Sequence, residues 1–186
     1  MNRNSLLIGL TLSFMTTLAF GRAEAGQIPF RGTLSATSIS TEMDINGDGV
    51  RNALIVGGAK STLGQSLVQG PGGEFVSSAA VPCPAGSVGL TETPGTAGLV
   101  FRFHGTGDLL IERDSAFTQC FDLSTGHFFG SGTGVIAGGT GRFADATGNF
   151  EYTNCTGETL FFEQPPGERG FFAFTCDFRG TINTVK

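Results

Sequence analysis

The chain has 186 residues, a formal net charge of −5, 30 Gly, 18 Phe and no Trp. An acidic chain whose 11 Lys and Arg are scattered is a poor partner for nucleic acid or an anionic membrane surface. Ala, Leu, Glu and Lys nowhere gather at helical spacing over several turns, which argues against a helical bundle.

At the N-terminus one positive charge, Arg3, precedes an apolar, uncharged run from Leu6 to Phe20, and Ala23-Glu-Ala25 follows. A charged start, a short apolar stretch and small residues two apart form the pattern of a secretory signal peptide. The other reading is a membrane anchor, but the run is diluted by Thr and Ser and falls short of the roughly 20 apolar residues of a transmembrane helix. The expectation is a signal peptide over residues 1–25 and one domain over residues 26–186. The mature protein is then secreted or periplasmic and not membrane-spanning.

Asp44-Ile-Asn-Gly-Asp-Gly49 comes next. Side-chain oxygens of Asp44, Asn46 and Asp48 and the carbonyl of Val50 have the spacing of a calcium loop, and calcium wants six to eight oxygens. Ile55 stands where the EF-hand needs a bidentate Glu, and the flanks read as strand, so an EF-hand is excluded. Calcium stays open as a cofactor of a looser loop. The plainer alternative is a polar hairpin, for which Asn-Gly and Asp-Gly are well suited.

Residues 70–98 are rich in Gly, Pro, Ser, Thr and Ala and read as a long loop with one strand over Glu74 to Val81. Beyond it the alternation is legible. Leu99, Phe101 and Phe103 share a face. Phe117, Gln119 and Phe121 oppose Thr118, Cys120 and Asp122, and Phe150 and Tyr152 begin another strand. Phe172, Phe174, Cys176 and Phe178 line one side of the last run. Glu112, Asp114 and Asp122 read as solvated strand and turn residues. Turn signals recur at a hairpin rhythm, and about eight to ten antiparallel strands are expected. Such a sheet hides its edges by closing into a barrel or stacking into a sandwich. The Gly residues within strands favour the barrel.

The four Cys, Cys83, Cys120, Cys155 and Cys176, all follow the signal segment, and an even number in an exported chain points to disulfides. Cys155 and Cys176 flank the Pro165-Pro-Gly turn and can sit on neighbouring strands. The expected bonds are therefore Cys155–Cys176 and Cys83–Cys120, the second pinning the long loop to a strand.

Ile136-Ala-Gly-Gly-Thr-Gly-Arg-Phe-Ala-Asp-Ala-Thr-Gly148 is the most distinctive motif. Gly138, Gly139 and Gly141 suit a reversal with positive φ, and Phe143 returns an anchor to the core. The motif resembles the G-G-T-G-x-F turn of allene oxide cyclases and dirigent proteins. It is closer to that of the allene oxide cyclase barrel-like family of small exported bacterial proteins, in which Gly stands in place of Asp145. The resemblance implies an all-β, antiparallel eight-stranded (up to ten-stranded) barrel of the calycin type with an interior cavity. It carries over no catalytic residue, since the families' acidic and Arg positions match no motif here.

Nucleophilic motifs are absent, and no catalytic acid–base set can be named from spacing. The Phe content is the remaining functional hint. Phe101, Phe103, Phe121, Phe150, Phe172 and Phe174 are candidates to line a pocket for a small hydrophobic ligand, against the alternative that they fill the core. The functional expectation is an exported barrel that binds such a ligand. A cyclase or isomerase using the same cavity, and a non-catalytic structural or surface-interaction protein, are the alternatives.

Overall fold

The computed structural model describes residues 26–40, 52–162 and 170–184. The expected signal segment and the candidate cation loop at Asp44, Asn46, Asp48 and Val50 lie outside the described residues. Ten strands are present among those described: β1 (Gly26–Ser40), β2 (Ala53–Ser61), β3 (Gly64–Gly72), β4 (Phe75–Ser77), β5 (Ser87–Glu92), β6 (Val100–Phe103), β7 (Leu109–Asp122), β8 (His127–Gly139), β9 (Thr147–Phe162) and β10 (Gly170–Thr184). No helix among the described residues is long and apolar enough to cross a membrane.

Every pairing is antiparallel, and eight strands close on themselves in the order β1-β2-β3-β6-β7-β8-β9-β10, with β10 returning to β1. Closure leaves these strands without a free edge, which is the physical reason to prefer a barrel to an open sheet. Strand β7 is long enough to serve two neighbours on one flank. Its first residues, Leu109–Ile111, pair with β6, and its last, Thr118–Asp122, pair with β5, which carries β4 at its outer side. The segment expected to be one long loop with a strand at Glu74 to Val81 thus holds two short strands. Serine, glycine and threonine dilute β5, and this hid its alternation.

The interior divides into a packed half and a hollow half. In the packed half Phe30, Phe101 and Phe178 meet with ring centroids 4.8 to 5.9 Å apart. Leu110, Ile182 and Phe150 are buried in the same cluster. A glycine makes the room: a Cβ on Gly134 would overlap the Phe150 ring.

The Ile136–Gly148 motif plugs this half. Thr140 N–H donates to the Leu109 carbonyl at 2.8 Å, and the Thr140 hydroxyl accepts from Leu109 N–H at 3.0 Å. A short 3₁₀ turn, Gly141–Phe143, then drives Phe143 inward until it is 0% exposed, 5.2 Å from the Phe103 ring. Arg142 covers the plug from outside, its guanidinium 5.0 Å from the Phe103 ring and 4.7 Å from that of Phe143. Gly138, Gly141 and Asp145 have φ of 119°, 56° and 58°. Gly139 is not among the positive-φ residues, contrary to expectation. It is required because a Cβ there would overlap the Leu109 carbonyl oxygen.

Both disulfides join the expected partners. Cys83–Cys120 ties the β4–β5 connection to the outer face of β7, and Cys155–Cys176 crosses from β9 to β10 inside the barrel, with Cα atoms 5.6 and 4.1 Å apart.

Candidate ligand cavity

The hollow half includes the end of β1 and the start of β2, where Ser38, Ser40, Ala53 and Ile55 line a cavity of about 950 Å³. That volume is in the range of small-molecule sites, about 300–1,000 Å³. One side is aromatic: Phe117 and Phe121 of β7, Phe128 of β8, and Phe172 and Phe174 of β10. The rings brace one another, Phe172 lying 6.3 Å from Phe121 and 6.5 Å from Phe128, both edge-on. A Cβ on Gly157 would overlap the Phe128 ring, so that glycine sets the space the ring occupies.

The six aromatic residues singled out from the sequence separate into two groups. Phe121, Phe172 and Phe174 stand on the cavity wall. Phe101, Phe103 and Phe150 do not; they lie in the packed half, where neighbouring rings and Phe143 fill the space around them. Position along the barrel axis divides them, and alternation along a strand reports only which face a residue is on.

The cavity lining also carries acids. Glu92 at the end of β5 and Asp114 of β7 line it, as does Glu74 in the β3–β4 connection. Glu112 of β7 is buried beneath at 1% exposure, with Tyr152 of β9 at the cavity floor. Glu112 Oε2 accepts a hydrogen bond from Leu99 N–H at 2.9 Å, and Glu74 Oε1 accepts one from the Asn52 side-chain amide at 2.9 Å. Both carboxyl oxygens of Glu92, one each of Glu112 and Asp114, and the Tyr152 hydroxyl are buried without a partner of normal hydrogen-bond geometry.

These surroundings shift the acids upward. Burial, and then the charge of Asp114, push Glu92 to about 8. It is only 3% exposed, but it faces the cavity and so is not fully dehydrated. Glu112 is raised well above its usual value, first by burial and then by Asp114. Asp114 is raised by burial, against a lowering contact with Glu112. The two form a coupled acid pair in which the proton stays on Glu112, for like charges this close disfavour double ionisation. Burial, then the neighbouring carboxyls, raise Tyr152 as well, keeping its O–H intact. Asp122 behaves oppositely: the Ser124 hydroxyl and N–H donate to it at the exposed β7–β8 turn and lower it to about 2.

Asp122 is the turn residue its sequence context suggests, but Glu112 and Asp114 are not solvated. The cause is a bulge. Asp114 pairs with Gly134 and Ala116 with Thr133, leaving Ser115 as an extra residue on β7. Leu110, Glu112 and Asp114 therefore point inward before it, and Phe117, Gln119 and Phe121 after it. Counting back by twos from Phe117 puts both acids on the wrong face. Strand β9 resets in the same way near Asn154, whose φ is 51°, so that Tyr152 and Cys155 both face inward.

The fold and the cavity define a class: a closed eight-stranded antiparallel barrel, with two accessory strands, hollow at one end, whose cavity is lined by aromatic rings and three acids among other residues. No family model matches the chain, and no curated protein does. Among solved structures, the pterocarpan synthase dirigent protein GePTS1 matches at 14% identity over 88% of this chain and 87% of its own, with a TM-score of 0.34. A score that low fixes no closer relationship, and the barrel assignment rests on the strand pairings themselves.

Proposed function

We propose that the protein is exported and that its barrel binds a small hydrophobic molecule in the open half. The observation that carries this reading is the cavity of about 950 Å³ with six Phe on its wall. Apolar surface of that extent left uncovered in a closed barrel is a cost unless something occupies it. The two disulfides and the Arg3–Ala25 segment support export, and the Ile136–Gly148 motif supports kinship with small exported barrels. Native mass spectrometry of the oxidised protein, purified from an exporting host, tests the reading together with displacement of an environment-sensitive apolar dye. A co-purified small molecule, or saturable dye binding weakened about tenfold or more by Phe121→Ser with Phe172→Ser, is expected. An empty protein that binds no apolar probe refutes it.

A second reading has one observation of its own. Glu92, Glu112, Asp114 and Tyr152 put proton donors beside a proton acceptor at the cavity floor, which suits acid-assisted cyclisation or isomerisation of a bound molecule. Glu112→Gln with Asp114→Asn separates the readings: it abolishes turnover of a captured ligand if the cavity is catalytic and leaves that ligand unchanged if it only binds.

A further inference from the structure

We infer that the cavity takes an apolar organic amine, its ammonium group seated at Glu92 and Asp114 and its hydrocarbon body among Phe117, Phe121 and Phe172. The inference rests on the cavity being a ligand site and names the chemistry of what fills it.

Charge is the first argument. Three acids line the cavity with Glu112 directly beneath, and no Lys, Arg or His is among the described lining residues. Nothing on the wall complements an anion, and several groups complement a cation. Unmet hydrogen bonding is the second. Glu92 lines the cavity at only 3% exposure, and neither of its carboxyl oxygens has a partner, whereas the Tyr152 hydroxyl is turned to Glu112 beneath. One oxygen of Asp114 is in the same condition as those of Glu92. Buried polar atoms are normally satisfied, and when several without partners converge on one cavity, a ligand is the group that satisfies them. An ammonium brings up to three N–H donors, and its charge draws Glu92 and Asp114 back toward the ionised form, whose oxygens accept them.

The aromatic lining points the same way, since ring faces attract organic cations and repel anions. A metal ion is a weaker candidate. Among the described residues no group of three or more His, Cys, Asp or Glu has the geometry to hold one. A neutral alcohol would meet one or two of the unpaired atoms and would gain nothing from the charge of the floor.

Three probes of one shape and different charge test this on the full oxidised chain: 3-phenylpropylamine, 3-phenylpropan-1-ol and 3-phenylpropionate, titrated by calorimetry at neutral pH. The amine is expected to bind at least about tenfold more tightly than the alcohol, with the carboxylate weakest. The double variant Glu92→Gln, Asp114→Asn should bring the amine down to about the level of the alcohol, whose own affinity shifts far less. Phe172→Ala should weaken both. If the alcohol binds as well as the amine, or the double variant keeps the preference, the inference is overturned while the cavity reading stands. If none of the three binds, the cavity reading falls and the inference with it. Should the double variant not fold, Glu92→Gln alone must reduce the preference for the amine; an unchanged preference is equally decisive against it.

Discussion

The two halves of this barrel are built from the same strands and differ in what stands on their inner faces. In the packed half the inward positions of β6, β7 and β10 are Phe101, Phe103, Leu110, Phe178 and Ile182, with Phe143 inserted as a plug. In the hollow half the inward residues are just as large, Phe117, Phe121, Phe172 and Phe174, but they line a cavity, and no plug enters it among the described residues. Side-chain size is therefore not what makes a cavity here. One half contains a turn that folds back into the barrel, and among the described residues the other has none. The bulges in β7 and β9 mark the boundary. At that level the inward residue changes from hydrocarbon to carboxyl, and polar groups end up buried without partners.

The sharpest way to break this comparison is to make the same truncation in each half. Phe143→Ala leaves a void in a close-packed region and should cost about 3–5 kcal/mol. Phe172→Ala enlarges a space that already exists around a half-buried ring. It should cost about 1–2 kcal/mol, closer to the transfer contribution alone. Urea unfolding midpoints of the two variants provide the check. Equal losses would mean that the hollow half is as tightly packed in solution as the plugged one.

The acids offer the next contrast, because their contribution depends on pH. Glu92 moves from its ordinary 4.5 to about 8 on folding, through burial first and the Asp114 charge second. Between those values the folded chain holds a proton that the unfolded chain has released. Stability from this group is thus complete below about pH 4.5 and is lost as pH rises through about 8. Glu112 and Asp114 of β7, which face the same space with Tyr152 of β9, are shifted in the same direction and add to the slope. Glu92→Gln cannot ionise. Its stability should exceed that of the parent by about 1–3 kcal/mol at pH 9, with the gap closing toward pH 4.5. Thermal melts across that range measure it. A gap that widens toward low pH would mean that Glu92 is charged and paired in the folded state, against the geometry described.

How far these halves were legible beforehand follows from the same details. The all-β class, the inward face of Leu99–Phe103 and the Cys155–Cys176 bond come from strict alternation and from hairpin neighbours, which depend on residues close in sequence, and Cys83–Cys120 follows as the remaining pair. The acid wall was not legible, because one extra residue at Ser115 reverses the parity of everything before it. Serine at that position carries no signal of a bulge. A cue did exist in β7 itself: Leu110, Glu112 and Asp114 alternate as regularly as Phe117, Gln119 and Phe121, in the opposite phase. The division of six Phe into three core and three wall residues needs the barrel axis, which no local pattern encodes.

The smallest expected effect lies within the plug and tests how it is held. Gly141 and Asp145 adopt nearly the same left-handed backbone, φ of 56° and 58°, in one turn, yet one is glycine and the other is not. What distinguishes them is space. A Cβ on Gly141 would overlap the Asp108 carboxylate, which also lies 3.5 Å from the Arg142 guanidinium covering the plug. Asp145 is exposed, and aspartate is among the residues that tolerate this region best. Gly141→Ala therefore combines backbone strain with displacement of Asp108 and should cost about 1–3 kcal/mol. Asp145→Gly relieves about 1 kcal/mol of strain and gives back about the same in unfolded-chain entropy. Its midpoint in urea should stay within about 1 kcal/mol of the parent. A loss well beyond that would show that the Asp145 side chain holds the turn through a bond of its own. The plug would then depend on that carboxylate as well as on Phe143.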